Sequence, residues 1–310
     1  MNIKAFIETQ LNEIRKTVGD GTAISALSGG VDSSVCTVLA HRALGDKLKV
    51  IFIDDGLMRE GEPADVQGVF AKLGIKVEIV EVADEFFAAL AGHLDPEEKR
   101  KAFRQTFYSV FGREVLRSGA RFLVQGTIKA DIIETKGGVK TQHNILEQIG
   151  IDPEKGFGFK VVEPLKELFK PDVRIVAKAL GLPEKTYTRM PFPGPGLMTR
   201  VLGEVTPERV AVVRKATLIV EAGVKGLKPF QAFAVLLADK GTGIEDGKRK
   251  FGDIIIIRSV ESRDAMTAKP TPIPWDILMK MSRRMVREIP SVTRVAYELT
   301  PKPPATIEYI

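Results

Sequence analysis

The chain has 310 residues, is 44% hydrophobic and 28% charged, and carries a net charge of +6, the composition of a globular protein with room for two domains. Its one cysteine, Cys36, excludes an internal disulfide and a cysteine-cluster metal site. No run approaches the roughly 18 apolar residues of a membrane span, and the basic residues are dispersed rather than gathered into a stripe, which disfavours nucleic acid and suits small anionic substrates.

Met1 to Glu8 reads as the start of an amphipathic helix, not a leader peptide. Thr22–Leu27 is an apolar run that predicts a buried strand. Directly after it, residues 28–34 read Ser-Gly-Gly-Val-Asp-Ser-Ser. Gly29 and Gly30 permit a tight turn and close backbone approach. Ser33 and Ser34 can cap a following helix with Val35, Val38, Leu39 and Ala43 among its apolar positions. Lys49–Ile53 predicts a second strand, with Asp54 and Asp55 at its carboxyl end. Glu62–Leu73 predicts a helix and Lys76–Val80 a third strand. Asp95, Pro96, Glu97 and Glu98 open a helix that runs to Leu116, with a capping Asp, a Pro and acids in the first turn. Arg121–Gln125 predicts a fourth strand, Val161–Val162 a short fifth, and Pro171–Leu180 a helix stopped by Gly181 and Pro183. Residues 135–159 are rich in Gly, Lys and Gln and weakly periodic, and read as a long mobile loop.

The composition shifts at Met190–Leu197, where three prolines and two glycines exclude a helix or a central strand. Beyond it the pattern is α+β: a helix over Pro207–Gly223, strands over Phe230–Leu237 and Asp253–Val260, a helix over Trp275–Glu288 and a strand over Arg294–Leu299. The expected fold is α/β: a doubly wound parallel sheet over residues 1–190, and a smaller α+β domain over residues 191–310. Ligands of such sheets bind beyond the carboxyl ends of the strands. Ser28–Ser34, Asp54–Asp55 and Gln125–Thr127, with Gly126 between, all fall at such ends.

Residues 28–34 carry the chemistry. Strand, glycine turn and hydroxyl-rich helix start aim backbone N–H groups and a helix dipole at an anion. The anion that fits is a phosphate chain. The segment is not a Walker A loop, because no Gly-Lys-Ser/Thr follows at the required spacing. Asp32 is an odd acid to set against an anion unless a divalent cation lies between them, so the loop implies Mg²⁺ as well as nucleotide. Cys36 and His41, on the helix after the loop, read as packing or surface residues.

Ser28–Ser34 resembles the pyrophosphate loop of the N-type ATP pyrophosphatases, whose fold is that of the adenine nucleotide alpha hydrolases. Within that superfamily, residues 54–59, 95–101, 125–134, 163–170, 191–197, 264–268 and 302–308 resemble GMP synthetase segments in the same order. The resemblance spans nearly the whole chain. No glutaminase-like segment precedes Met1, so it points to the separate ATP-pyrophosphatase subunit of a divided, archaeal-type enzyme. It implies a ligase of purine (GMP) biosynthesis that adenylates XMP with ATP, releases pyrophosphate, and aminates the adduct with ammonia to give GMP and AMP. It also implies a separate glutamine amidotransferase partner, a homodimer through the second domain, and cytoplasmic residence.

By that resemblance Ser28, Gly29, Gly30, Val31, Asp32, Ser33 and Ser34 hold the β- and γ-phosphates of ATP, and Asp32 and Asp131 are the candidate Mg²⁺ carboxylates. Gly126 belongs to the nucleotide site, Asp54 or Asp55 faces the adenosine or caps a helix, and Lys166 is the lysine for pyrophosphate. Lys99, Arg100 and Lys101 read either as an exposed face with i,i+4 pairs, such as Asp95 with Lys99, or as part of a lid over the nucleotide. For XMP, the resemblance implies Pro193 and Gly194 at the purine, Lys302, Thr306, Ile307 and Glu308 closing the site, and Arg249 and Arg258 as further phosphate ligands. Three positions depart from the family pattern: Gln142 stands where a histidine is usual, Asp246–Gly247 reverses a Gly-Asp pair, and the tail ends Tyr309–Ile310. The competing readings are an ammonia-dependent NAD synthetase-like ligase and a nucleotide-binding protein without catalysis.

Overall fold

The structure, a computed structural model, describes residues 2–136 and 160–310. The chain divides into two compact units, and the division is not a single cut. One unit comprises Met1–Asp54, Gly61–Val82 and Phe107–Arg189; the other comprises Asp55–Glu60, Ala83–Thr106 and Met190–Ile310.

The first unit is built on five parallel strands, β1 Ala23–Leu27, β2 Leu48–Asp54, β3 Glu78–Glu81, β4 Phe122–Val124 and β5 Lys160–Val162, in the order β3-β2-β1-β4-β5. β1 is central, with Ala23 in register with Leu48 on one side and Phe122 on the other. Ala23, Ile24, Ser25 and Leu27 of β1 are all buried, as a strand covered by helices on both faces requires. The one polar side chain among them, Ser25, shares a 2.7 Å hydrogen bond with Thr37 on α2 (Val31–Leu44), so both buried hydroxyls are satisfied. Helix α1 (Ile3–Val18) is capped by Asn2, which accepts from the Ala5 N–H at 3.2 Å, and buries Ile7, Leu11, Ile14 and Val18 on one stripe. Strand order turns back between β1 and β4. That is the switch point, and the loops after both strands open there.

α3 (Glu62–Ala71), α6 (Lys129–Lys136) and the helices Lys170–Ala179 and Glu184–Thr188 complete this unit, together with the second half of α5 (Pro96–Ser118). Helix α4 (Ala83–Leu90), which belongs to the second unit, has no counterpart among the predicted elements. Of the expected loop over 135–159, Thr135 and Lys136 end α6, and residues 137–159, with Gln142, lie outside the described residues.

The second unit centres on a hairpin of β6 (Gln231–Glu245) and β7 (Lys248–Glu261), far longer than the two strands predicted. Its turn is Asp246–Gly247, with φ of 50° and 76°, between the paired Glu245 and Lys248. Positive φ at both central residues is the primed turn that matches strand twist, and Asp-Gly is a preferred sequence for it. The reversal of the family's Gly-Asp pair therefore has a local structural reading. β7 also pairs with β8 (Lys269–Pro270) antiparallel and with β9 (Val292–Tyr297) in parallel. The helix Pro207–Val224, capped by Thr206, lies on β6, and Thr217 accepts the Ala234 N–H at 3.2 Å. The helix Trp275–Glu288 buries Met281 and Met285; a Cβ on Gly223 would strike the Met281 sulfur, so glycine there permits close helix approach.

Candidate active site

The loop after β1 is organised by its own hydroxyls. Ser33 Oγ accepts the Ser28 N–H at 3.2 Å, lies 3.0 Å from Ser28 Oγ, and donates to the Gly30 carbonyl at 3.1 Å. Ser34 Oγ donates to the same carbonyl at 2.8 Å. Gly29 has φ of +71°, a region that strains residues with a Cβ, and Gly30 caps α2 with no side-chain bond. The amides of the first α2 turn have no acceptor within the helix. Bent loop and helix start together form an anion cradle. Gly126, after β4, closes its other side: a Cβ there would stand 2.9 Å from the Ser33 nitrogen and 3.0 Å from the Asp32 carbonyl carbon. Only glycine lets the β4 loop lie against the start of α2.

Asp32, in the first turn of α2, forms an ion pair with Lys170, the first residue of its helix. Burial pushes the Asp32 carboxyl above its ordinary value; Lys170 opposes this, Asp131 reinforces it by charge repulsion, and Arg174 opposes it. Asp32 Oδ1 is buried without a hydrogen-bond partner. Asp131 accepts the Ile128 N–H at 3.0 Å, the reach-back half of a capping box, and is coupled to Asp32 through space. Among the described residues no cluster of three or more potential ligands occurs. Mg²⁺ in nucleotide sites keeps waters and takes one or two carboxylates plus phosphate oxygens. An orphaned buried carboxylate oxygen beside a second carboxylate fits that requirement.

The remaining expectations for this unit divide. Asp54 ends β2, where its carbonyl accepts the Val82 N–H at 3.0 Å. Lys166 is exposed, and Lys170, four residues on, is the lysine brought to Asp32. Sequence reasoning also missed Arg189 and Glu62. Arg189 Nη1 donates to the Gly29 carbonyl at 2.9 Å, and Nη2 pairs with the buried Glu62 carboxylate. No motif signals this, because the partners lie 160 and 127 positions apart.

In the second unit, Asp55 is buried and its Oδ1 accepts the Leu57 N–H at 2.8 Å, a turn-forming role. Lys99 is 0% exposed, which corrects the reading of an exposed charged face. Its Nζ donates to the Val201 carbonyl at 3.0 Å and to the Gly203 carbonyl. Burial, with Arg209 nearby, lowers its pKa to about 8.

The segment Pro191–Leu197 and the C-terminal tail meet in this unit. Gln231 Nε2 donates to the Pro191 carbonyl at 3.3 Å and to Glu308 Oε1 at 2.6 Å. Arg200 grips Glu308 with two bonds of 2.9 and 3.1 Å, while its guanidinium stacks on Phe233 and Phe192, 4.1 and 5.0 Å from the ring centroids. Thr199 adds a 3.3 Å bond to the same carboxylate. Arg200, Gln231 and Phe192 were not singled out in the sequence. Gly196 (φ +61°) has no room for a Cβ against the Leu57 carbonyl; Gly194 is exposed and beside the half-buried Pro193.

Lys302 is half-buried and donates to the Ala265 carbonyl at 2.8 Å, which ties it to the 264–268 block; the Lys302–Pro303 and Pro303–Pro304 bonds are cis. Thr306 is exposed. Ile307 packs with Phe233, Val235, Val260 and Ala268 in the core. Arg258 requires a correction: it is 0% exposed and its guanidinium is bonded to the tail carbonyls of Thr300 (2.6 Å) and Thr306 (3.0 Å), so it is a strut for the tail rather than a phosphate ligand. Arg249 is exposed, two residues beyond the Asp246–Gly247 turn.

Comparison with known proteins matches both halves of this description. Residues 2–195 fit the NAD synthase family model, and residues 220–309 fit the GMP synthase C terminal domain. Full-length relatives named as the B-type subunit of GMP synthase [glutamine-hydrolyzing] include one from Archaeoglobus fulgidus, 51% identical over all of both chains. Another, from Thermococcus kodakarensis, is 52% identical over 98% of each, and one from Methanopyrus kandleri is 49% identical over 99% of this chain and 98% of its own. The NAD synthase match covers only the first of the two regions, whereas these relatives match the chain over nearly its whole length, and the chain belongs to the family of B-type GMP synthase subunits.

Proposed function

We infer that the chain is the synthetase subunit of a two-subunit, glutamine-hydrolysing GMP synthase, an ATP-dependent C–N ligase. It adenylates XMP and then aminates it, giving GMP, AMP and pyrophosphate. The observation that carries this is the cradle at the switch point, where Ser28–Ser34 and Gly126 converge. A relative named as one subunit of a glutamine-hydrolyzing enzyme has a partner, and a separate glutaminase delivering ammonia is the corresponding partner here.

The mechanism we propose has no side-chain nucleophile. The XMP O2 oxygen attacks the α-phosphate of ATP, and pyrophosphate leaves. The leaving group gathers negative charge, so positioned N–H donors and cations supply most of the acceleration. The loop amides and the Ser28, Ser33 and Ser34 hydroxyls hold the β- and γ-phosphates, and Lys170 adds a positive charge beside them. Asp32 and Asp131 would hold Mg²⁺, which when bound neutralises phosphate charge. Pro193 and Gly194 border the purine. Glu308, held in one orientation by Arg200 and Gln231, faces the nucleoside, and Lys302 offers a mobile ammonium for the 5′-phosphate. Ammonia then displaces AMP from the activated carbon. A homodimer formed through the second unit and cytoplasmic residence belong to the same reading.

The test is direct. The purified chain is mixed with ATP, Mg²⁺, XMP and ammonium at alkaline pH, and XMP absorbance is followed. GMP and AMP should form in equal amounts. ATP binding without AMP or GMP, or turnover of deamido-NAD in place of XMP, overturns the reading.

A further inference from the structure

The Arg189–Glu62 pair has no role in the mechanism just described, yet it is built onto the loop after β1. Glu62, at the start of α3, is buried and pairs with Arg189. The other arm of the same guanidinium donates to the Gly29 carbonyl at 2.9 Å. A Cβ on Gly29 would collide with the Glu62 carboxylate, so carboxylate, guanidinium and loop peptide are packed in direct contact. A charged pair in this position is costly to desolvate and persists only where its geometry is well satisfied. A planar guanidinium with two arms on two fixed acceptors is such a geometry.

In a trans peptide the carbonyl and the following N–H point in opposite directions. Arg189 holds the Gly29 carbonyl on the Glu62 side. The Gly30 N–H is therefore turned the other way, into the cradle, where its one long contact is to Ser28 Oγ at 3.4 Å. That peptide can flip through ψ of Gly29 and φ of Gly30, and Gly30, at φ −77°, is free to take the opposite sign because glycine populates positive and negative φ about equally. We propose that Arg189, braced by Glu62, is a positioning residue that fixes the Gly29–Gly30 peptide so that the Gly30 amide donates to the pyrophosphate portion of ATP. The proposal rests on the loop being the pyrophosphate site. It adds a residue far along the chain to that site and gives the buried Glu62 a function.

The test uses the full chain in the ammonia-dependent reaction, with inorganic pyrophosphate as a product-inhibition probe. Arg189→Met should raise the KM for ATP and the inhibition constant for pyrophosphate roughly tenfold each, the effect of one misdirected charge-supported donor. The KM for XMP should stay within about twofold, because only phosphate contacts change. Added guanidinium should restore part of the loss in Arg189→Ala. Glu62→Gln, which keeps shape and loses charge, should give the same pattern more weakly. Ser33→Ala tests the loop itself. If Ser33→Ala weakens pyrophosphate inhibition while folded Arg189→Met and Glu62→Gln leave it unchanged, the positioning role is wrong and the loop reading stands. If Ser33→Ala leaves it unchanged as well, the loop reading fails. Should Arg189→Met not fold, Arg189→Lys, which keeps the charge but loses the two-armed fork, decides: equal rises in the KM for ATP and for XMP would mean a merely structural role.

Discussion

Asp32 is held between opposing demands. Burial disfavours its charge, Asp131 repels it, and Lys170 supports it; burial prevails, and the carboxyl titrates above its ordinary value. A carboxyl raised on folding stabilises the fold only at low pH and costs stability once the pH exceeds its folded value. Asp32→Asn should therefore leave the melting temperature of the free chain unchanged or higher, while turnover falls by about a hundredfold or more, the scale for losing a principal electrostatic contact in phosphoryl transfer. Thermal melts alongside AMP release check this; a lower melting temperature with near-normal turnover would remove the functional assignment. Residue identities in the loop were legible because spacing and type there are fixed by backbone geometry. The Lys170–Asp32 ion pair was not legible. It depends on where a helix starts after an irregular stretch: Phe169 precedes the first helical turn and Lys170 opens it, and that start sends Lys170 toward Asp32.

Among the elements, the parallel sheet was readable because each strand is a short apolar run bounded by turn residues. Helix ends were readable where caps exist, as at Thr206 and Pro207. The β6–β7 hairpin was read short. Its outer half carries charged and glycine residues and is mostly exposed, while the inner half of β6 is continuously buried, so the apolar signal ends before pairing does. The Asp246–Gly247 turn was the available signal. Helix α5 was placed correctly but its Lys99 was misjudged, because charge pairs at i,i+4 describe an exposed face and tertiary packing buried one member. That burial has a pH consequence. Between pH about 8 and the ordinary lysine value of 10.5, the unfolded chain keeps a proton at Lys99 that the folded chain has released. Stability therefore gains a contribution as pH rises through this window. Relative to Lys99→Met, the urea stability of the native chain should rise by on the order of 1–2 kcal/mol from pH 8 to pH 10. Parallel pH profiles for the two proteins would refute it.

Across the whole molecule, the second compact unit collects residues 55–60 and 83–106 from the first half of the chain. A composition change marks the break near Met190, but no local signal marks the other crossings. The hairpin of this unit leaves Ile244 80% and Phe251 73% exposed, and both lie on one face, since Phe251 pairs with Thr242. Large apolar side chains left out on one face of a paired hairpin suit contact with a second copy. Phe251→Glu combined with Ile244→Glu should convert the proposed dimer to monomer in sedimentation equilibrium without lowering the melting temperature of the first unit. A dimer that persists in the double variant would move the interface elsewhere.

By itself the sequence determined the α/β class, the glycine-serine turn after the first strand with its carboxylate, and the start of the helix that follows. Each is written in consecutive residues, where glycine freedom, capping and apolar period act locally. The tertiary structure decided which lysine meets Asp32, that Gly126 must lack a Cβ, that Arg258 braces the tail from within, and that Arg189 holds the loop peptide. These depend on groups more than thirty positions apart. Only the packed core brings such groups within hydrogen-bonding distance, and no local rule of sequence encodes that meeting.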